Sequence, residues 1–289
     1  MEVNTNKKWS LLIILALIWG SSFILIFKGL QGLSAFQLGS VRIMVTAFFL
    51  WLIGFKSLKN IPKEKWKYIA LTALFGTFLP AYLFALAETQ VSSSVCSILN
   101  SLTPLNTLWI GVLAFQFVIK PKQIVGVLIG LIGTIALILG GNQATNSENI
   151  WFSLFVVIAS ICYAININLI KKYLHDLKPL SISTGNFSVM FLPALLILLC
   201  TDFHQKIHTE TTQTALLYIV ILGVVCTGIA NVLYFKLIQI STPIFASSVT
   251  YLIPIVACIW GIMNNETLTF FQIISAFVIL IGVYLANKK

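Results

Sequence analysis

The feature that most constrains this chain is a succession of stretches without a single Asp, Glu, Lys or Arg: 9–27, 43–55, 68–87, 89–119, 123–147, 149–170, 179–201, 211–235, 237–265 and 267–287. A membrane helix needs about 20 largely apolar residues. All but one stretch approach that length, and 43–55 reaches it once Arg42 and part of 29–41 are included. The reading is an all-α polytopic membrane protein with ten transmembrane helices at 9–28, 36–55, 67–87, 92–116, 122–140, 150–170, 179–200, 214–236, 243–263 and 269–287. Uncharged runs this long are not barrel strands, which alternate polar and apolar over about ten residues. Composition agrees: 9% of the 289 residues are charged, against about 25% in soluble domains.

The formal net charge of +10 points away from nucleic acid, because the lysines fall in short clusters between the apolar runs. With the N-terminus in the cytoplasm, inside segments carry 15 Lys and outside segments only Lys28 and Lys206. This positive-inside bias and the even helix count place both termini in the cytoplasm. Lys28 snorkels to the outer interface on this reading. Cys96, Cys162, Cys200, Cys226 and Cys258 all lie in apolar runs without CxxC or a His-rich partner set, so no disulfide framework and no metal is expected. No small-x-small site closes the first apolar run, so a cleaved signal peptide is not expected.

The two halves resemble each other. "WGSSFILIFKGL" (19–30) aligns with "YAININLIKKYL" (163–174) at an offset of 144, "SILNSLTPL" (97–105) with "SSVTYLIPI" (247–255) at 150, and "QIVGVLIGLIG" (123–133) with "QIISAFVILIG" (272–282) at 149. Five spans per half is an odd number, so the halves, 9–140 and 150–287, enter the membrane from opposite sides. Such inverted-topology repeats are typical of secondary transporters.

Further residues carry a family resemblance: "LALIWGSSFILIFKG" near the start, a lone Arg in helix 2, "LNSLTPL" in helix 4 and "GIMNNETLTFFQIISAFVILIGVYLA" at the end. In this order they resemble the EamA-type, ten-helix members of the drug/metabolite transporter superfamily, over about residues 10 to 287. The resemblance implies two inverted five-helix repeats around a central cavity, alternating access, and export of small metabolites or drugs from the bacterial inner membrane, without a cofactor. One departure is visible: members often carry an acid after helix 4, as Glu266 stands after helix 9, whereas this chain has Gln116 and Phe117.

Arg42 is the chain's single Arg beside 17 Lys. A charge at mid-bilayer costs about 2.5–3.5 kcal/mol on insertion scales, and such residues usually face the protein interior. Three readings stand: a clamp that bonds backbone carbonyls of neighbouring helix ends, a cavity-facing guanidinium that takes a carboxylate in bidentate fashion, or simple snorkelling. The acids fall at helix ends or in loops and the three His in loops, so either transport is uncoupled or exchange-driven, or Glu88 near the cavity mouth titrates. With no central acid to balance a cationic drug, a neutral or zwitterionic, amino-acid-like substrate fits better.

Candidate cavity residues are the polar and aromatic ones within spans: Trp19, Ser22, Arg42, Tyr82, Asn100, Tyr163, Asn166, Asn231, Tyr234 and Tyr251. Each is equally explained, taken singly, by bonding between helices. Pro104 and Pro254 occupy matched positions and are hinge candidates. Gly126, Gly130 and Gly133 form a small-residue face for close helix contact, and a homodimer contact is one use of it. No HExxH, GxSxG or paired Asp lies in the spans, so catalytic residues are not expected. The alternative to transport is a receptor or scaffold with a transporter fold. The expected partners are a small-molecule substrate and the lipid bilayer.

Overall fold

The computed structural model describes residues 5–91, 93–139, 150–263 and 270–287. The described residues are helical throughout, with turns and no strand. In hydrocarbon no water can satisfy the backbone, so each crossing segment must close its own hydrogen bonds. Among the described residues seven helices are long and apolar enough to cross a membrane: α1 (Asn6–Leu30), α2 (Ala35–Asn60), α3 (Lys63–Ala87), α4 (Val95–Leu113), α6 (Trp151–Tyr173), α7 (Pro179–Leu199) and α8 (Glu210–Ile240). Three shorter apolar helices complete the order: α5 (Pro121–Ala136), α9 (Pro243–Val256) and α10 (Ile273–Ala286). This is a multi-pass membrane architecture, and its sidedness of burial agrees. Large apolar side chains such as Leu52, Leu113, Leu199 and Leu217 are exposed, whereas Ser40, Thr46, Asn168, Ser183 and Asn186 are fully buried.

Helices meet where side chains are small or polar. α5 lies directly on α10. A Cβ on Gly126 would strike the backbone of Ala286, one on Gly133 would come 2.9 Å from Ile279, and Gly282 abuts Gly130. One index rises as the other falls, so the two helices are antiparallel. The glycine face is thus packed against α10 of the same chain. α2 and α7 run antiparallel in the same way: Trp51 Nε1 donates to the Ser188 hydroxyl at 2.8 Å, and Phe48 stacks edge-on against Phe191.

Several helices are interrupted. α1 breaks at Ser21, and α4 breaks at Ser101–Leu102, just ahead of Pro104. α9 has a turn at Ser248, whereas Pro254 lies inside the helix that follows. Of the two hinge candidates, only Pro104 therefore adjoins an interruption. α3 and α8 each contain a π-helical segment, Leu74–Phe78 and Leu222–Ile229.

One end of the bundle is closed by lysines that cap helix C-termini, where unpaired carbonyls gather. Lys171 Nζ donates to the carbonyls of Ile238, Gln239 and Ser241 at the end of α8. Lys172 reaches the Phe115 carbonyl at 3.2 Å, beyond α4. Lys65 reaches the Tyr173 carbonyl at 2.6 Å, at the end of α6, and forms an ion pair with Asp176 at 3.0 Å. Gln116, next to this cluster, has a φ of 58°. It ends α4 in a left-handed cap, with Phe117 N–H donating to Gly111 O and Gln116 N–H to Val112 O.

Candidate functional site

The site is built on the π segment of α8, Leu222–Ile229. A π turn leaves carbonyls out of register with the ordinary ladder, and here neighbouring helices take them. Thr227 donates its hydroxyl to Leu222 O at 2.8 Å, Thr46 on α2 donates to Gly223 O at 2.8 Å, and Trp19 Nε1 on α1 donates to Cys226 O at 2.9 Å. Having donated its proton, the Thr227 oxygen accepts from Arg42 Nε at 2.8 Å. The clamp reading expected backbone carbonyls around Arg42. Instead, among the described residues, its guanidinium donates to a hydroxyl, through Nε rather than through the forked end.

Arg42 borders a cavity at the centre of the bundle, with about 880 Å³ of atom-free space, part of it continuous with solvent. Eight of the ten sequence candidates line it: Trp19, Ser22, Arg42, Asn100, Tyr163, Asn166, Asn231 and Tyr234. Tyr82 and Tyr251 do not. On α3 the cavity-facing positions are Gly76, Thr77, Ala81 and Phe84, and Tyr82 falls round the helix toward α2, where its hydroxyl meets that of Ser40 at 2.8 Å. On α9 the cavity-facing positions are Thr250 and Ile253; Tyr251 turns toward α5, donates to Val127 O at 2.8 Å and lies on Gly130.

The lining has an order of its own. At the offset of 144 it contains Trp19 with Tyr163 and Ser22 with Asn166. At 150 it contains Gly76 with Cys226, Thr77 with Thr227, Ala81 with Asn231, Phe84 with Tyr234, Asn100 with Thr250 and Thr103 with Ile253. Sixteen of the twenty lining residues are thus repeat mates of one another. The four without a lining mate, Phe23, Ile26, Arg42 and Ile43, all belong to α1 and α2; their counterparts Ile167, Ile170, Asn186 and Phe187 are fully buried elsewhere. Thr77 and Thr227 escaped the sequence reading, although their own offset of 150 could have found them.

Two buried polar oxygens at the cavity have no partner among the described residues: Thr77 Oγ1 and Asn166 Oδ1. An unpaired buried polar group is costly, so Asn166 Oδ1 stands as an unused acceptor and the Thr77 hydroxyl as an unused acceptor or donor. Asn168, which does not line the cavity, spends its Nδ2 within the bundle, donating to Thr107 O at 3.1 Å and Ala164 O at 3.0 Å, while its Oδ1 is likewise buried without a partner among the described residues. Glu88 stands one residue past α3 and one turn beyond Phe84. It is buried, with Oε2 accepting from the Ser93 hydroxyl at 3.0 Å. Burial pushes its carboxyl up to about 8, against the Ser93 hydrogen bond and the Arg42 charge, which both pull it down. Glu266 lies outside the described residues. Among the described residues no cluster of His, Cys, Asp or Glu could hold a metal ion.

Comparison with known proteins agrees with this architecture. A solved crystal structure superposes with a TM-score of 0.74 over 98% of this chain and 96% of its own, at 16% identity, and speaks to the fold alone. An Archaeoglobus fulgidus protein named as an uncharacterized transporter is 24% identical over 98% of this chain and 99% of its own. The Escherichia coli K12 inner membrane transporter YedA, also named uncharacterized, is 27% identical over 94% of this chain and 88% of its own. A Salmonella typhimurium protein named "Probable amino-acid metabolite efflux pump" is 24% identical over 97% and 95%. The family model described as the EamA-like transporter family matches residues 7–139 and 150–288. The two matched stretches take in nearly the whole chain, and with them the resemblance drawn from the sequence is borne out: this chain belongs to the EamA-like transporter family and is a membrane transporter, not an enzyme.

Proposed function

We propose that the chain is a secondary transporter of ten membrane helices, in which two inverted five-helix repeats, 9–140 and 150–287, with both termini cytoplasmic, enclose the cavity and open it to either side in turn. The observation that carries this reading is the eightfold pairing of lining residues at the repeat offsets. Side chains with no common purpose have no reason to converge from matched positions on one hollow. The antiparallel packing of the repeat mates α5 with α10 and α2 with α7 supports it, since an inverted pair must meet head to tail.

The substrate is a small neutral or zwitterionic, amino-acid-like metabolite, exported across the bacterial inner membrane. Arg42 offers a planar fork to a carboxylate. Asn166 Oδ1 and Thr77 Oγ1 offer acceptors to an ammonium, and Trp19, Tyr163, Tyr234 and Phe84 offer aromatic surface to an apolar group. The name of the Salmonella typhimurium relative supports the same class. The test is counterflow of radiolabelled zwitterionic amino acids in proteoliposomes. Flux in the wild type that falls at least tenfold in Arg42→Ala and Asn166→Ala supports transport through this cavity. A ligand that raises thermal stability but is never carried across would favour the receptor alternative.

A further inference from the structure

Glu88 is the buried acid that the proposed transport scheme leaves unused. It follows Phe84 by four residues, so the two side chains share a helix face. Phe84 lines the cavity, and Glu88 lines a separate groove with Phe27, Leu30, Leu33 and Ala35 at the ends of α1 and α2. The carboxyl thus stands between the cavity wall and that groove. Its Oε2 takes the Ser93 hydroxyl, and its Oε1 is buried with no partner among the described residues. Arg42 on α2 is the charged group whose field reaches it. Lys28 on α1 is another cation at these helix ends, and neither makes an ion pair with Glu88. A carboxyl so placed has lost water and gained no counter-ion in contact, the circumstance in which a proton is the available way to neutralise it.

We propose that Glu88 is a proton-binding site coupled to the cavity, so that a proton and a carboxylate ligand held by Arg42 bind cooperatively. The sign follows from charge. A bare guanidinium favours ionised Glu88. A ligand carboxylate resting on Arg42 cancels that field, and Glu88 then draws a proton from solvent onto its unpartnered oxygen. Linkage is reciprocal: the ligand binds more tightly as pH falls through the Glu88 titration. The inference rests on the transport reading only in giving Arg42 an anionic ligand.

Infrared spectroscopy of the purified full-length protein between pH 6 and pH 10 tests it. The expected result is a protonated-carboxyl stretching band at pH 6 that is absent in Glu88→Gln and disappears with a midpoint of about 8. Arg42→Gln, which removes the charge, raises that midpoint by about one pH unit, and Arg42→Lys, which keeps it, leaves it nearly unmoved. Absence of a Glu88-dependent band at pH 6, or a midpoint indifferent to Arg42→Gln, overturns the proposal. Should Arg42→Gln fail to fold, the midpoint is read in wild-type protein with and without phenylacetate, and a midpoint unmoved by the anion overturns the coupling. This readout needs no flux. A titrating Glu88 in a protein that carries no amino acid refutes transport and keeps the proton site, while flux beside a silent Glu88 does the reverse.

Discussion

Arg42 gains its meaning from a single hydroxyl. Thr227 holds Nε at 2.8 Å, and Arg42 borders the hollow. A lysine has neither an Nε–H on a planar fork nor two parallel donors. Arg42→Lys is therefore expected to insert and purify normally yet lose at least tenfold in substrate flux; unchanged flux in vesicles would return Arg42 to a structural role. At Gln116, a left-handed φ of 58° is a conformation that glycine adopts without strain, so Gln116→Gly should stabilise the purified protein by about 1 kcal/mol, read as a raised midpoint of thermal unfolding. Glu88 gives a pH dependence whose sign is opposite to that of a salt-bridged acid. Its folded-state pKa of about 8 lies above the ordinary carboxyl value of 4.5, so the folded state binds the extra proton and wild-type stability falls as pH rises across that window. Glu88→Gln should therefore gain stability relative to wild type between pH 5 and pH 8, as thermal unfolding scans at each pH would register. Arg42, Trp19 and the polar Asn were legible in the sequence because such groups are conspicuous in hydrocarbon. Tyr82 and Tyr251 were misassigned because a Tyr looks the same from sequence whichever way its helix is turned.

At the scale of elements, the apolar runs read from the sequence coincide with the described helices, but their internal breaks do not announce themselves. Nothing in "LFGTF" or "LGVVCTGI" marks a π turn; in the second segment the turn shows itself where side chains from other helices take Gly223 O and Cys226 O. Since π turns repack at little cost in hydrogen bonds and recur at functional sites, Thr227→Val should slow transport several-fold without hindering insertion, by removing the hydroxyl that serves both Leu222 O and Arg42. A rate equal to wild type would deny the segment a role. The contact between α5 and α10 invites a sterner test. Gly282 abuts the backbone of Gly130, so Gly282→Leu should destabilise the protein by at least about 2 kcal/mol, because backbone cannot give way as a side chain does. A thermal unfolding midpoint within a degree of wild type would contradict the packing described.

At the scale of the whole molecule, the proposed inverted repeat rests on matched segments that keep their order and nearly keep their spacing, and on lysine sidedness, which is a matter of counting. Its consequence at the site, paired lining positions, required coordinates. The topology proposed here puts Lys122 in the cytoplasm and Asn146 outside, so Cys substituted at these positions should react with an impermeant maleimide from opposite faces of right-side-out and inverted vesicles; labelling from the same face would dismantle the two-repeat scheme. The pairing is also incomplete, and the exceptions fall on one side. Phe23, Ile26, Arg42 and Ile43 border the hollow, while Asn186 and its neighbours at the matching places are sealed away. If the halves exchange arrangements during a cycle, one doorway is framed by a cation and the other by an amide. The carboxylate of a zwitterionic cargo would then meet a strong partner at one threshold and a weak one at the other, so the two faces would differ in apparent affinity while the solute gradient still sets the net direction.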